Sequence, residues 1–230
     1  MGKKKRRLEV KKTSILKEIM YQDYVIKKGK FIGKFEEMYK NCSDPWKYLS
    51  IGKNNIDHKI IIEFCEHIKK KINKLTILEM GCGYGTLSYQ LAKKNFVTYG
   101  FDISKSAITR GKKLFKHHNL KIFVSDFDNF KKFDLIKPDI FILSDVSWYV
   151  LPKLKRFINY FKKKIHTSYI IHCLAIPENQ EYGKKYFYNE KSILSFFNLK
   201  IISTANIKYF ESNNINKPSE IHSFFLACNK

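Results

Sequence analysis

A chain of 230 residues with 44% hydrophobic side chains can build one sizeable core, and no apolar run approaches the roughly 18–20 residues that a membrane-spanning helix needs. Basic residues outnumber acidic ones by 44 to 21, a net charge of +23, which leaves room for a nucleic acid, an anionic surface or a small anionic substrate as partner. The basic N-terminus "MGKKKRRLEVKK" leads into no apolar segment, Arg6 stands where a myristoylation motif wants Ser or Thr, and Cys42, Cys65, Cys82, Cys173 and Cys228 form no zinc-like or redox spacing, so a cytoplasmic protein with reduced thiols is expected.

Residues 1–12 read as a flexible basic arm and 13–73 as an N-terminal helical cap. Within the cap, Ile15, Ile19, Val25 and Ile26 suggest a helix from about Ser14 to Lys28. "FEEMYKN" suggests one or two helical turns, and "SDPWK" a turn or loop. Ile56, Ile60, Ile61, Phe64 and Ile68 mark a stronger helix.

From residue 74 to 230 strands and helices alternate. "LTILEM", "FVTYGFD", "LKIFVSD", "PDIFILSD" and "SYIIHCLAIP" read as strands. Helices are expected over 86–94, from Ser104 as N-cap with Ala107, Ile108, Gly111, Leu114 and Phe115 inward, over "LPKLKRFINYFKK", and from Asn189. "LKIISTANIKYF" and "IHSFFLACN" are two final strands with no helix between them, so they should be antiparallel. The expected fold is α/β and Rossmann-like: a seven-stranded, mostly parallel sheet with an antiparallel last strand, helices on both faces and the helical cap at one end.

The stretch "ILEMGCGYGTLSYQLA" joins the first strand to the first helix through Gly81, Gly83 and Gly85. One glycine would suffice for a tight turn, whereas three in five residues suit a loop that brings backbone close to a ligand. Ligands of open α/β sheets bind at the carboxyl ends of the strands. A dinucleotide loop is G-x-G-x-x-G, but here Thr86 takes the place of the third glycine, and Glu79 would disfavour a pyrophosphate. Asp102, at the end of the second strand, suits a pair of ribose hydroxyls.

These residues resemble the class I S-adenosylmethionine-dependent methyltransferases. "LEMGCGYGTLS", "GFDISKSAI", "VSDFDNF" and "FILSDVSWYV" are similar to the four successive motifs of that family, over about residues 75 to 228. The resemblance implies S-adenosylmethionine as cofactor, with S-adenosylhomocysteine as product. Gly81, Gly83 and Gly85 would face its amino-acid end and ribose, Glu79 its ammonium group, and Asp102 its ribose. Ile103 would pack on the adenine, Asp126 would contact the adenine amino group, and Phe127 would flank the ring. Ser144 and Asp145 would line the junction of methyl and acceptor.

For the proton that methyl transfer releases, Asp145 is the first candidate acceptor and His172, expected at the end of the fifth strand, the second. Trp148 and Tyr149 either wall an acceptor pocket or pack the next helix. "KFEEMYKNCSDPWKYLS", with Tyr39 and Trp46, resembles a lead-in segment of small sugar-directed methyltransferases, including the nodulation-factor N-methyltransferases, in which it helps build the acceptor site. Tyr186, with Tyr182 and Tyr188, could add acceptor contacts. Asp145 has no obvious acidic companion, so no metal site is expected, although Asp126, Asp128 and Asp139 keep a divalent ion in view.

The expected function is therefore methyl transfer to a hydroxyl or amine of a small polar, in one reading anionic, acceptor such as a sugar, sugar-nucleotide or phosphorylated glycan precursor. A methyltransferase acting on RNA or DNA is the alternative. Against it, only Arg6, Arg7, Arg110 and Arg156 are arginine, and Lys, Asn and Ile share A/T-rich codons. Moreover, the fourth motif is Ser144-Asp145-Val146-Ser147 rather than the Asn/Asp-Pro-Pro-Tyr that clamps a flipped base. A non-catalytic binder of the cofactor is the third reading.

Overall fold

The computed structural model describes residues 22–72, 74–165, 167–211 and 217–229. Seven strands form one sheet: β1 (Thr76–Met80), β2 (Val97–Asp102), β3 (Leu120–Val124), β4 (Ile140–Ser144), β5 (Tyr169–Pro177), β6 (Lys200–Tyr209) and β7 (Glu220–Cys228). Their order is β3-β2-β1-β4-β5-β7-β6. The first five are parallel, and β7 runs antiparallel between β5 and β6. This is the expected Rossmann-like architecture. The order reverses at β1, between β2 and β4, which opens a crevice beyond the carboxyl ends of these strands.

Seven helices are relevant to the site and its support: α1 (Phe35–Asn41), α2 (Ile56–Lys69), α3 (Thr86–Lys93), α4 (Lys105–Leu114), α5 (Phe130–Ile136), α6 (Leu151–Lys164) and α7 (Glu190–Phe197). Side chains alternate between sheet faces. Leu78 and Met80 of β1 pack with Phe133 of α5 and with Phe157 and Phe161 of α6. Ile77 joins Ile61, Cys65 and Ile68 of α2, and Leu87 and Leu91 of α3, on the other face. Phe133, Phe157 and Phe161 are wholly buried, each contributing about 1.5–3 kcal/mol. Truncating Phe157 to Ala would cost about 3–5 kcal/mol.

Four local expectations are corrected. First, the helix expected to run to Lys28 stops early; its part before residue 22, and the basic arm, lie outside the described residues. Gln22–Val25 is one helical turn, followed by a hairpin pairing Ile26–Lys27 with Lys30–Phe31. Lys28 and Gly29 both have positive φ, 50° and 68°, the requirement of a two-residue hairpin loop, and this ends the helix. Second, α2 was expected in the cap but packs on the sheet, because its apolar stripe is complementary to β1 and α3. Third, α5 was not anticipated; it buries only Phe133, too little to show a period. Fourth, α4 ends at Leu114, which leaves that residue 48% exposed instead of inward.

Candidate functional site

The glycine loop follows β1 directly. Gly81, Gly83 and Gly85 have φ of 77°, 55° and 83°. The amides of Gly81 and Cys82 both donate to the Phe101 carbonyl at 2.8 Å, tying the turn to β2. A Cβ on Gly83 would lie 2.6 Å from the Tyr39 hydroxyl, and one on Gly111 of α4 would lie 2.2 Å from the Tyr84 carbonyl. The loop is thus clamped between α1 and α4.

Asp102 closes β2 beside it. Its carboxylate accepts from the amides of Gly83 at 2.9 Å and Ser104 at 2.8 Å. Burial pushes its carboxyl up to about 6 against these bonds. Glu79 is also buried and accepts from the Ser88 hydroxyl; burial first, and the charge of Asp102 with it, push it up to about 7. Ile103, 59% exposed, stands next to Asp102. Asp126 takes the Phe127 amide at 2.6 Å and the Lys153 ammonium. Partial burial works against its charge, but Lys153 holds its carboxyl below the ordinary value. Lys153 also reaches Asp128 at 3.4 Å, and Arg156 meets Asp128 at 2.6 Å.

The N-terminal segment closes over this edge. Glu36 of α1 accepts from the Ser104 hydroxyl at 2.7 Å and from the Ser106 amide and hydroxyl at 3.1 and 2.7 Å. These bonds, Ser106's first, lower its carboxyl to about 2 despite some burial. A carboxylate there also suits the N-terminus of α4. Asp44 accepts from the amides of Leu49 and Ser50 and so caps the turn Tyr48–Ile51. Trp46 donates to the Tyr39 hydroxyl at 2.9 Å and lies against Tyr149 with ring centroids 5.8 Å apart. Phe31 and Phe35 complete this aromatic group around Tyr149.

Among the described residues, two adjoining cavities bear on the site. The first, about 1330 Å³ of empty space including its mouth, is lined by Tyr39, Trp46, Glu79, Gly81, Gly83, Asp102, Ile103, Asp126, Phe127, Ser144, Asp145 and Tyr149, among others. The second shares Trp46, Tyr48, Tyr149 and Asp145 with it and adds Asp57, Trp148, Tyr209, Glu220 and His222. Asp145 stands between them, with φ 50° just past β4. It accepts from the Tyr48 hydroxyl at 3.1 Å and the Ala175 amide at 2.9 Å. Burial, then the charge of Asp57, raises its carboxyl to about 6. The first cavity offers what an adenosine-bearing methyl donor needs: paired backbone-held carboxylates, an exposed aliphatic face at Ile103 and a loop with no side chain in the way.

A family model described as "Methyltransferase domain" matches residues 71–185, half of the chain. The chain belongs to this methyltransferase-domain family. Ribosomal RNA small subunit methyltransferase A of Mesomycoplasma hyopneumoniae (strain 232) is 36% identical over 143 residues, 58% of this chain and 53% of that one. The chain therefore spans about half the length of the curated relative it matches. Among solved structures, the bifunctional kinase-methyltransferase WbdD superposes with a TM-score of 0.59 at 17% identity, over 81% of this chain and 42% of that one. The methyltransferase domain of bacterial CtHen1-CN gives 0.52 at 16%, over 75% and 98%. Magnesium protoporphyrin IX methyltransferase (ChlM) from Synechocystis PCC 6803, with bound SAH, gives 0.52 at 16%, over 76% and 83%. At these identities the structural likeness is one of fold.

Of the residues singled out from the sequence, Gly85, His172, Trp148 and Tyr186 do not line the first cavity, and two of them, Trp148 and Tyr186, were expected at an acceptor pocket instead. His172 lies mid-strand in β5, wholly buried, with its ring stacked on Phe225 at 4.9 Å and Nε2 2.9 Å from the Ser147 hydroxyl. Burial lowers it to about 3, so it stays neutral, and it lines neither cavity. Trp148 is buried, donates to the Ala175 carbonyl at 2.8 Å and faces the second cavity. Tyr186 packs edge-on to Phe196 and lines neither cavity. Gly85 also stays outside the lining; it turns the chain into α3.

The sequence reading missed Tyr48, Asp57 and His222, and it missed the acidic companion of Asp145. His222 Nδ1 meets Asp57 Oδ2 at 2.7 Å, and its Nε2 is 3.3 Å from Glu220. Carboxylate oxygens of Asp57 and Asp145 and the Cys173 sulfur lie within 4.8 Å of one another. Asp57 follows the N-cap of α2 by two positions, where an acid is common for helix reasons alone, so nothing local marks it. No helix among the described residues is long and apolar enough to cross a membrane.

Proposed function

We propose that this methyltransferase binds the methyl donor in the first cavity and methylates a hydroxyl or amine of a small polar acceptor held in the second. The observation that carries this reading is Asp145, which lines both cavities where they meet. In the donor site Glu79 would hold the ammonium group and Asp102 the ribose. Gly81 and Gly83 would leave the backbone open to the donor. Ile103, Asp126 and Phe127 would surround the adenine, and Ser144 would lie beside the methyl group. When bound, the sulfonium supplies an activated methyl group. The protein orients the acceptor, excludes water and takes up one proton, and we assign that last role to Asp145 rather than to the buried His172. Trp46, Trp148 and Tyr149 would form the acceptor walls, whereas Tyr39, expected among them, lines only the donor cavity.

In domain terms, residues 74–230 together with α2 would form the transferase body, and residues 22–55 the cap over its site. A sugar or glycan-precursor acceptor rests on the resemblance of the segment around Asp44-Pro45-Trp46. An anionic acceptor finds little support in the second cavity, where Asp57, Asp145 and Glu220 face Lys47 and His222. Incubating the protein with labelled S-adenosylmethionine and a small-molecule extract, followed by mass analysis, tests the assignment. Methylated small molecules should form with wild-type protein and not with Asp102→Ala.

The second reading, methylation of RNA, is favoured by the ribosomal RNA methyltransferase relative and by the net charge of +23. It requires polynucleotide binding that weakens steeply with salt. Absence of binding to mixed RNA at low salt would end it.

A further inference from the structure

We infer that the second cavity selects an acceptor bearing a protonated amine, and that this nitrogen is the atom methylated. The inference rests on the donor and acceptor sites proposed above. Asp57 from the start of α2, Asp145 just past β4 and Glu220 from the start of β7 converge on one cavity of this chain. Three distant segments thus deliver carboxylates to the same place.

Asp57 is only 7% exposed, and its Oδ1 has no hydrogen-bond partner, while Oδ2 takes His222. A buried carboxylate oxygen without a donor is unfavourable, and an incoming ammonium would supply one. Burial disfavours charge on His222, yet its bonds to Asp57 and Glu220 hold it up to about 10. The imidazolium and Lys47 therefore face three carboxylates, which leaves one negative charge that one further cation would balance better than a neutral hydroxyl. Trp46, Tyr48, Tyr149 and Tyr209 give the same cavity aromatic walls, which attract ammonium groups through their faces.

The reaction follows. The ammonium gives one proton to Asp145. The freed nitrogen lone pair forms the N–C bond as the methyl–sulfur bond breaks, and that bond's electron pair stays on sulfur. The proton then passes from Asp145 to solvent, and the product is a methylated ammonium.

The two tryptophans of the chain, Trp46 and Trp148, both line this cavity, so intrinsic fluorescence reads it directly. Full-length protein saturated with S-adenosylhomocysteine is titrated with three matched probes: glucosamine, glucose and glucose 6-phosphate. Glucosamine should change the emission at a concentration at least tenfold below glucose, with the phosphate weakest. Asp57→Asn should remove most of that preference while calorimetry still records S-adenosylhomocysteine binding. Glucose or the phosphate binding as well as glucosamine overturns the inference, as does a preference that survives in Asp57→Asn. Emission unmoved by all three, with the cofactor product still bound, overturns the acceptor-site reading on which the inference rests.

Discussion

The Tyr48 hydroxyl donates to Asp145 Oδ2 at 3.1 Å, across 97 residues of sequence, and joins the N-terminal segment to the end of β4. Both residues line both cavities. The bond favours the ionised carboxylate, so Tyr48→Phe should raise the Asp145 carboxyl from about 6 by up to about one unit. The acidic limb of the kcat/KM profile should move upward accordingly. A limb that stays in place in the variant would separate Asp145 from the rate.

The wild-type profile itself has a predicted sign. If Asp145 takes the proton, it must be ionised, so kcat/KM should rise with pH through about 6 and level off above. Activity that is flat from pH 5 to 8 contradicts the role.

The same shift has a stability consequence. A carboxyl raised from 3.8 to about 6 on folding favours the folded state fully below its unfolded pKa, and the benefit is lost as pH rises through about 6. Asp145→Asn should therefore stabilise the protein more at pH 8 than at pH 5, by about 1–2 kcal/mol. Denaturant melts of both proteins at the two pH values check this.

The glycine loop was legible because its signals are local. A β-strand run, three glycines in five residues and an acid at the end of the next strand sit close in sequence, and the fold brings Gly83 and Asp102 into a 2.9 Å hydrogen bond. The strands of the sheet were legible for the same reason, as short apolar runs between turns. The acceptor cavity was not. His222 meets Asp57 across 165 residues, and only the β7 insertion between β5 and β6 brings them together. The reading of His172 failed because an isolated strand histidine carries no mark of which sheet face it takes. Here the aromatic rings of Phe197 and Phe225 enclose it.

His172→Phe should accordingly leave cofactor affinity and kcat per folded molecule unchanged. It strands the buried Ser147 hydroxyl and should lower stability by about 1–3 kcal/mol. A loss of kcat of a hundredfold or more with stability intact would restore a role in proton transfer.

Gly83→Ala should cost about 1–2 kcal/mol from its positive φ alone. It should also weaken S-adenosylhomocysteine binding, because the new methyl would press on the Tyr39 hydroxyl. Adding Tyr39→Phe should recover part of the loss. A single variant that melts and binds like wild type would show that the clamp between loop and α1 is loose.

The place of the methyl donor in the first cavity turns on Asp102, which is held by the amides of Gly83 and Ser104 and lines that cavity. Calorimetry of S-adenosylhomocysteine with wild type and Asp102→Ala tests it at a single side chain. Two charge-assisted hydrogen bonds to ribose hydroxyls predict a loss of at least about tenfold in affinity. Equal affinity in the two proteins would contradict the placement of the ribose, and with it the site.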